Sequence, residues 1–160
     1  MSDISQWMLK NLLKLNEEKT EFMMFRSKSK ASISAPSITV GNENVNLSHS
    51  AKLLGVTLDQ HMTLEDQINS VTKTCFYKLN NLYKIRKCIT MDAAKTMVHG
   101  VITSRIDYCN ILYSGLPSTL IQKLERVQRS AARLITFTGK YEHISPVLQS
   151  LHWLPVRARI

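Results

Sequence analysis

Residues 117–137 read PSTLIQKLERVQRSAARLITF, and this stretch decides the architecture of the second half of the chain. Leu120, Leu124, Val127, Ala131 and Leu134 recur at spacings of three and four. That is the period of an α-helix with one buried face. Pro117 suits a helix entry, because its missing N–H is one that the first turn leaves unpaired anyway. At about 100° per residue, Arg126, Arg129 and Arg133 gather on the side opposite the apolar stripe. The stretch therefore predicts a helix over about 118–137, buried along one face and basic along the other.

The same texture extends upstream to Thr63. Thr63 is a candidate cap, with Glu65 and Asp66 in the first turn where negative charge suits the helix dipole. Leu64, Ile68, Val71, Cys75, Leu79 and Leu82 then keep helical spacing to about Arg86. Lys73, Lys84 and Lys87 share one side of that helix. Another helix is predicted from Met91 to Tyr113, ended by Gly115. Gly100 lies inside it, where glycine costs about 1 kcal/mol against alanine, so a close helix crossing is expected there. A shorter helix is predicted over 145–151.

Before residue 60 the texture is mixed. Ile4, Trp7, Met8, Leu12 and Leu15 predict a helix over 3–15, with Ser2 as cap. TEFMMFR (20–26) reads as a strand, and the Ser/Lys-rich residues 27–36 as a loop. Residues 37–40 and 45–47 read as two short strands around the turn Gly41-Asn42-Glu43-Asn44. KLLGVTL (52–58) reads as one more strand, with Gly55 marking a bulge or a close approach by another backbone. The fold class expected is α+β. A small mixed part occupies residues 1–60, and a bundle of three to four helices occupies residues 61–160.

The chain has 160 residues and a formal net charge of +9. Residues 1–60 hold 7 Lys/Arg against 6 Asp/Glu, whereas residues 61–160 hold 14 against 6. Basic charge concentrated in one half points to a polyanion partner for that half. Cys75, Cys88 and Cys109 are an odd number without metal-type spacing, and read as small core residues in a reducing compartment. There is no leader-type N-terminus, and no apolar run approaches the ~18 residues of a membrane span. A soluble, intracellular protein, cytoplasmic or nuclear, is the expectation.

Catalytic patterns are scarce. Two-metal nucleotidyl transfer needs carboxylates converging on ions ~3.5–4 Å apart. The sequence holds no Asp-Asp pair, and its adjacent acids, Glu17-Glu18 and Glu65-Asp66, fall at helix ends. His49, His61, His99, His143 and His152 show no zinc-ligand spacing with one another or with the cysteines. No phosphate loop or nucleophile elbow is present.

Five blocks, in order, carry a resemblance. They are Trp7 with LKLNEEKTEF (13–22), KLLGVTLD (52–59), SRIDYCN (104–110) followed by Gly115-Leu116-Pro117, VQRSAARL (127–134), and LQSLHWLPV (148–156). Together they resemble the reverse transcriptases of non-long-terminal-repeat, LINE-like retrotransposons. They match the region from the palm motif after the catalytic aspartates, through the primer-grip hairpin, into the thumb. The resemblance implies a partial palm of short antiparallel strands plus a helix in residues 1–60, and a helical thumb in residues 61–160. It also implies a parent activity of copying RNA into DNA with Mg²⁺, and a primer–template duplex as partner. The aspartates that hold the metal would lie before Met1, so a fragment is expected, with no cofactor of its own and no membrane association.

The resemblance places Lys19 at the lysine that protonates the pyrophosphate leaving group. It places Leu54, Gly55 and Val56 in the primer grip, where glycine leaves room for the primer backbone. Lys73, Lys84, Lys87, Arg105, Arg126, Arg129 and Arg133 are the candidate nucleic-acid contacts, with Tyr108 beside them. Trp7 and Trp153 are expected in the core. Two other classes stay open at this stage: a stand-alone nucleic-acid-binding module, and a helical protein-interaction domain whose charge is incidental.

Overall fold

The computed structural model describes residues 2–14, 16, 19–27, 37–40 and 43–160. The chain divides into two compact units, Met1–Thr63 and Leu64–Ile160. The class is α+β, with two small antiparallel sheets and several helices.

The first unit opens with helix α1 (Ser2–Lys10), shorter than its apolar pattern predicts. Leu12 takes a left-handed conformation (φ 56°). The Leu12 N–H donates to the Leu9 carbonyl at 3.1 Å and the Leu13 N–H to the Met8 carbonyl at 2.8 Å. This double return to earlier carbonyls terminates a helix, here without the usual glycine. Trp7 is 61% exposed, which corrects its expected place in the core.

Residues 20–26 form no strand. Phe22 makes a single parallel bridge with Leu47, and the Ser48 N–H donates to the Phe22 carbonyl at 2.8 Å. Strands β1 (Ile38–Val40) and β2 (Glu43–Val45) pair antiparallel. The second strand begins two residues earlier than expected, at a position assigned to the turn. Gly41 and Asn42 lie outside the described residues, as do the expected loop residues 28–36.

The stretch read as one strand over 52–58 is two. Strand β3 (Ser50–Leu53) pairs antiparallel with β4 (Val56–Asp59), in the register Leu53↔Val56 to Ser50↔Asp59. Leu54 (φ 48°) and Gly55 (φ 85°) form the two-residue turn. Both central residues of such a turn need positive φ to match the strand twist, and glycine meets this at no steric cost. Gly55 therefore marks a hairpin tip, not a bulge.

In the second unit, α2 (Glu65–Ile85) packs on α5 (Ser118–Thr136). Leu64, not Thr63, precedes α2, in a left-handed conformation without a side-chain cap. Ile68, Cys75, Leu79 and Leu82 from α2 meet a buried face of α5 that contains the whole stripe Leu120, Leu124, Val127, Ala131 and Leu134. Between these helices the chain makes a short turn at Arg86–Cys88, then α3 (Met91–Val98), a π-helical turn (His99–Thr103) and α4 (Ser104–Asp107). The single helix expected over 91–113 is thus widened at 99–103 and ended at Asp107. Cys109 is left-handed (φ 53°) ahead of a 3₁₀ turn at Asn110–Tyr113. A Cβ added at Gly100 would meet nothing within 4 Å, so no close helix crossing explains this glycine. Helix α6 (Ser145–Ser150) and a turn at Val156–Ala158 complete the unit.

Candidate nucleic-acid interface

The geometry of the α2–α5 pair settles which cations share a surface. Lys123 Nζ donates to Asn69 Oδ1 at 2.7 Å and lies 3.8 Å from Glu65. Tyr83 Oη donates to the Ser130 carbonyl at 3.3 Å. Glu65, Asn69 and Tyr83 therefore mark the edge of α2 that meets α5, and Lys123 and Ser130 the matching edge of α5. At about 100° per residue, the core faces lie to one side of this seam on both helices. Lys73 and Lys84 lie on the other side on α2, and Arg126, Arg129 and Arg133 on the other side on α5. Lys87 continues the lysine line just past the end of α2. All of these except half-buried Arg133 are exposed. Together they form one solvent-facing surface of the helix pair.

They are not equally available. Arg129 Nη2 pairs with Glu125 Oε2 at 3.0 Å. Arg133 is committed to backbone: its Nη1 donates to the Gly139 carbonyl and its Nη2 to the Glu142 carbonyl at 2.8 Å. It fastens the 139–142 turn, and its charge offsets the effect of burial on Tyr83, whose phenol burial pushes up. Arg105, on α4, is exposed away from the seam. It acts on Cys75, where burial raises the thiol pKa and the Arg105 and Lys78 charges draw it back.

One exposed aromatic escaped the sequence reading. Tyr77 is 67% exposed and falls between Lys73 and Lys84 on the same side of α2. The signal was its angular position, within about 40° of Lys73 at 100° per residue. An exposed ring between two cations offers a face on which a base can stack.

In the first unit, Leu54 is 82% exposed and Gly55 is exposed at the β3–β4 tip, while Val56 is buried. Nothing lies within 4 Å of a Cβ added at Gly55, so another backbone has room to approach. Lys19 is exposed, and its N–H donates to Asn16 Oδ1 at 3.1 Å. Among the described residues, no group of three His, Cys, Asp or Glu side chains is placed to hold a metal ion. These residues do not fit the Mg²⁺ pair of a nucleotidyl-transfer site. Among them, too, no helix is long and apolar enough to cross a membrane.

Among curated proteins, 139 residues of the chain align at 25% identity with a protein described as a probable RNA-directed DNA polymerase from transposon BS of Drosophila melanogaster. The chain is similar to a transposon reverse transcriptase. The alignment covers 85% of this chain and 15% of that relative, so the chain spans about a seventh of the polymerase it matches. No family model matches the chain, and no solved structure does.

Proposed function

We propose that the Leu64–Ile160 unit is the thumb-like part of a non-long-terminal-repeat reverse transcriptase and holds a primer–template duplex by its phosphates. The observation that carries this reading is the largely cationic surface of α2 and α5, on which exposed Asp66 shares the side of Lys73 and Lys84. Lys73, Lys84, Lys87 and Arg126 lie there together and exposed. Two nearby acids, Glu65 and Glu125, are engaged with Lys123 and Arg129. Contacts of this kind release counterions from the duplex, and give affinity with little preference for base sequence. The similarity to a transposon polymerase supports the class of partner.

In the same reading, the β3–β4 tip is the primer grip. Leu54 and Gly55 meet the primer backbone, and Val56 anchors the hairpin from within. Lys19 is the general acid inherited from the parent enzyme, and it acts only where Mg²⁺ and its carboxylates are supplied from outside these residues.

The test is lysine footprinting on the full chain. Acetylation of Lys73, Lys84 and Lys87 should slow when an RNA–DNA duplex is added, while Lys95 and Lys140 react as before. Equal acetylation with and without duplex would remove the reading.

A further inference from the structure

The second unit contains a cleft of about 340 Å³, within the range of small-ligand pockets. One wall is the π-helical turn and the end of α4, another is α5, and the third is formed by residues of the segment 152–159. Ile102, Ile106, Ala131 and Leu154 make its walls apolar. At its side, the rings of His99 and Trp153 meet edge to face, with centroids 5.4 Å apart and planes at 72°.

Donors and acceptors converge on this apolar slot. Arg159 Nη1 donates to Asp107 Oδ2 at 2.7 Å. A guanidinium has five N–H donors, and Arg159 Nε is buried without an acceptor, so the protein does not saturate the group. Gln128 Nε2 donates to the Leu154 carbonyl at 2.7 Å, which leaves the Gln128 amide oxygen as an acceptor at the same wall. Apolar walls with an aromatic pair at one side, and donors and acceptors beside them, match a planar heterocycle that carries both on its edge. Gln128 also borders a second cleft, of about 330 Å³, lined by Glu125 and Arg129. That second cleft leads about 100° round α5, from Gln128 at the slot to Arg129 at the margin of the cationic surface.

We infer that this cleft receives a single unstacked nucleobase from a strand whose phosphates run along the basic side of α5. The choice of a nucleobase over other flat heterocycles rests on the nucleic-acid reading of that surface. The base packs against the Trp153–His99 rings, and its edge is met by Arg159 and Gln128. A π turn suits this use, because it interrupts a helix where a wall must be widened, and such turns recur at functional sites.

The test uses the full chain carrying Trp7→Phe, so that Trp153 is the one remaining tryptophan. Its fluorescence is titrated with a single-stranded oligonucleotide, and with an abasic strand of the same length and charge. The base-bearing strand should quench Trp153 and bind about tenfold tighter than the abasic one. Ala131→Leu, which fills the slot, should remove the difference and leave duplex affinity and its salt dependence unchanged. Should that buried change unfold the chain, Thr103→Leu narrows the slot from its half-exposed side and should remove the difference instead. Equal binding of the two strands, or a preference that survives filling of the slot, overturns the inference. A base-dependent quench with no duplex binding would retain the cleft as a base site and remove the duplex reading. Salt-dependent duplex binding without the quench would do the reverse.

Discussion

Arg86 Nη2 donates to the Ile135 carbonyl at 2.6 Å, and the same guanidinium reaches the Leu134 carbonyl through Nε at 2.9 Å. A nearly buried cation, 4% exposed, thus closes the C-terminus of α5, where the helix dipole is negative and the last carbonyls lack partners. Phe137 ends α5 in a left-handed conformation, and its ring centroid lies 4.1 Å from the Arg86 guanidinium carbon. Arg86→Gln should leave buried carbonyls unsatisfied and cost about 3 kcal/mol. Arg86→Lys, which keeps the charge but not the fork, should fall between. Denaturant unfolding of the chain measures both, and an unchanged midpoint for Arg86→Gln would show that the clamp contributes nothing.

Arg133 should separate from its neighbours on α5. Because its guanidinium holds the Gly139 and Glu142 carbonyls, Arg133→Gln should loosen the 139–142 turn, at a cost of about 1 kcal/mol. Arg126→Gln should leave stability within about 0.5 kcal/mol and weaken duplex binding alike for unrelated sequences. Thermal unfolding set beside binding isotherms separates the two kinds of arginine. Equal effects of both substitutions on both readouts would contradict the assignment.

The two units should differ in protection. Each sheet of the first unit has two strands, and small sheets of that kind are marginal by themselves. Among its described residues, only Val40 and Val56 are apolar and buried. Hydrogen exchange of the full chain should show fast opening in β1–β4 and slower opening in α2 and α5. Equal protection would mean that the sheets carry stability these contacts do not explain.

Alkaline pH should weaken the helical unit. Burial raises the Cys75 thiol above its ordinary 9.0 and the Tyr113 phenol above its ordinary 10.0. Both folded values exceed the unfolded ones. The contribution of the neutral groups is therefore fully present below about pH 9, and is lost as pH rises through the folded values. Unfolding midpoints between pH 8 and pH 11 should fall accordingly, whereas a flat profile would show that neither group stays neutral in the fold. Thiol reagents should modify exposed Cys88 at once and Cys75 only as the chain unfolds.

The parts of the fold that were legible in the sequence are those governed by period. The α5 stripe from Leu120 to Leu134 is buried throughout, because a 3–4 apolar spacing leaves a helix one face to hide. Ends and interruptions were not legible. Leu12 ends α1 through hydrogen bonds that any residue with positive φ can make, so no glycine announced it. The π turn at His99–Thr103 has no periodic signature in a stretch of this length. Gly55 was visible as a special position, yet a bulge and a hairpin tip ask the same of a glycine, and the register of β3 on β4 separates them. On the candidate surface, angular position identified the solvent side of α2 and α5. It did not reveal that Arg133 is engaged by carbonyls nine residues away or fewer, because loop conformation is not periodic. Residue type alone does not mark Tyr77 as exposed, because aromatic residues on a helix are often core.

The central claim is phosphate binding by one surface of the α2–α5 pair, and the salt dependence of duplex affinity tests it most directly. For the full chain, log K against log salt should fall with a slope of up to about −4.5 if Lys73, Lys84, Lys87, Arg126 and Arg129 each meet one phosphate. Glutamine at all five positions should leave the chain folded and bring the slope close to zero, for RNA–DNA and DNA duplexes of unrelated sequence alike. An unchanged slope in that variant, or no salt dependence in the parent chain, would contradict the account.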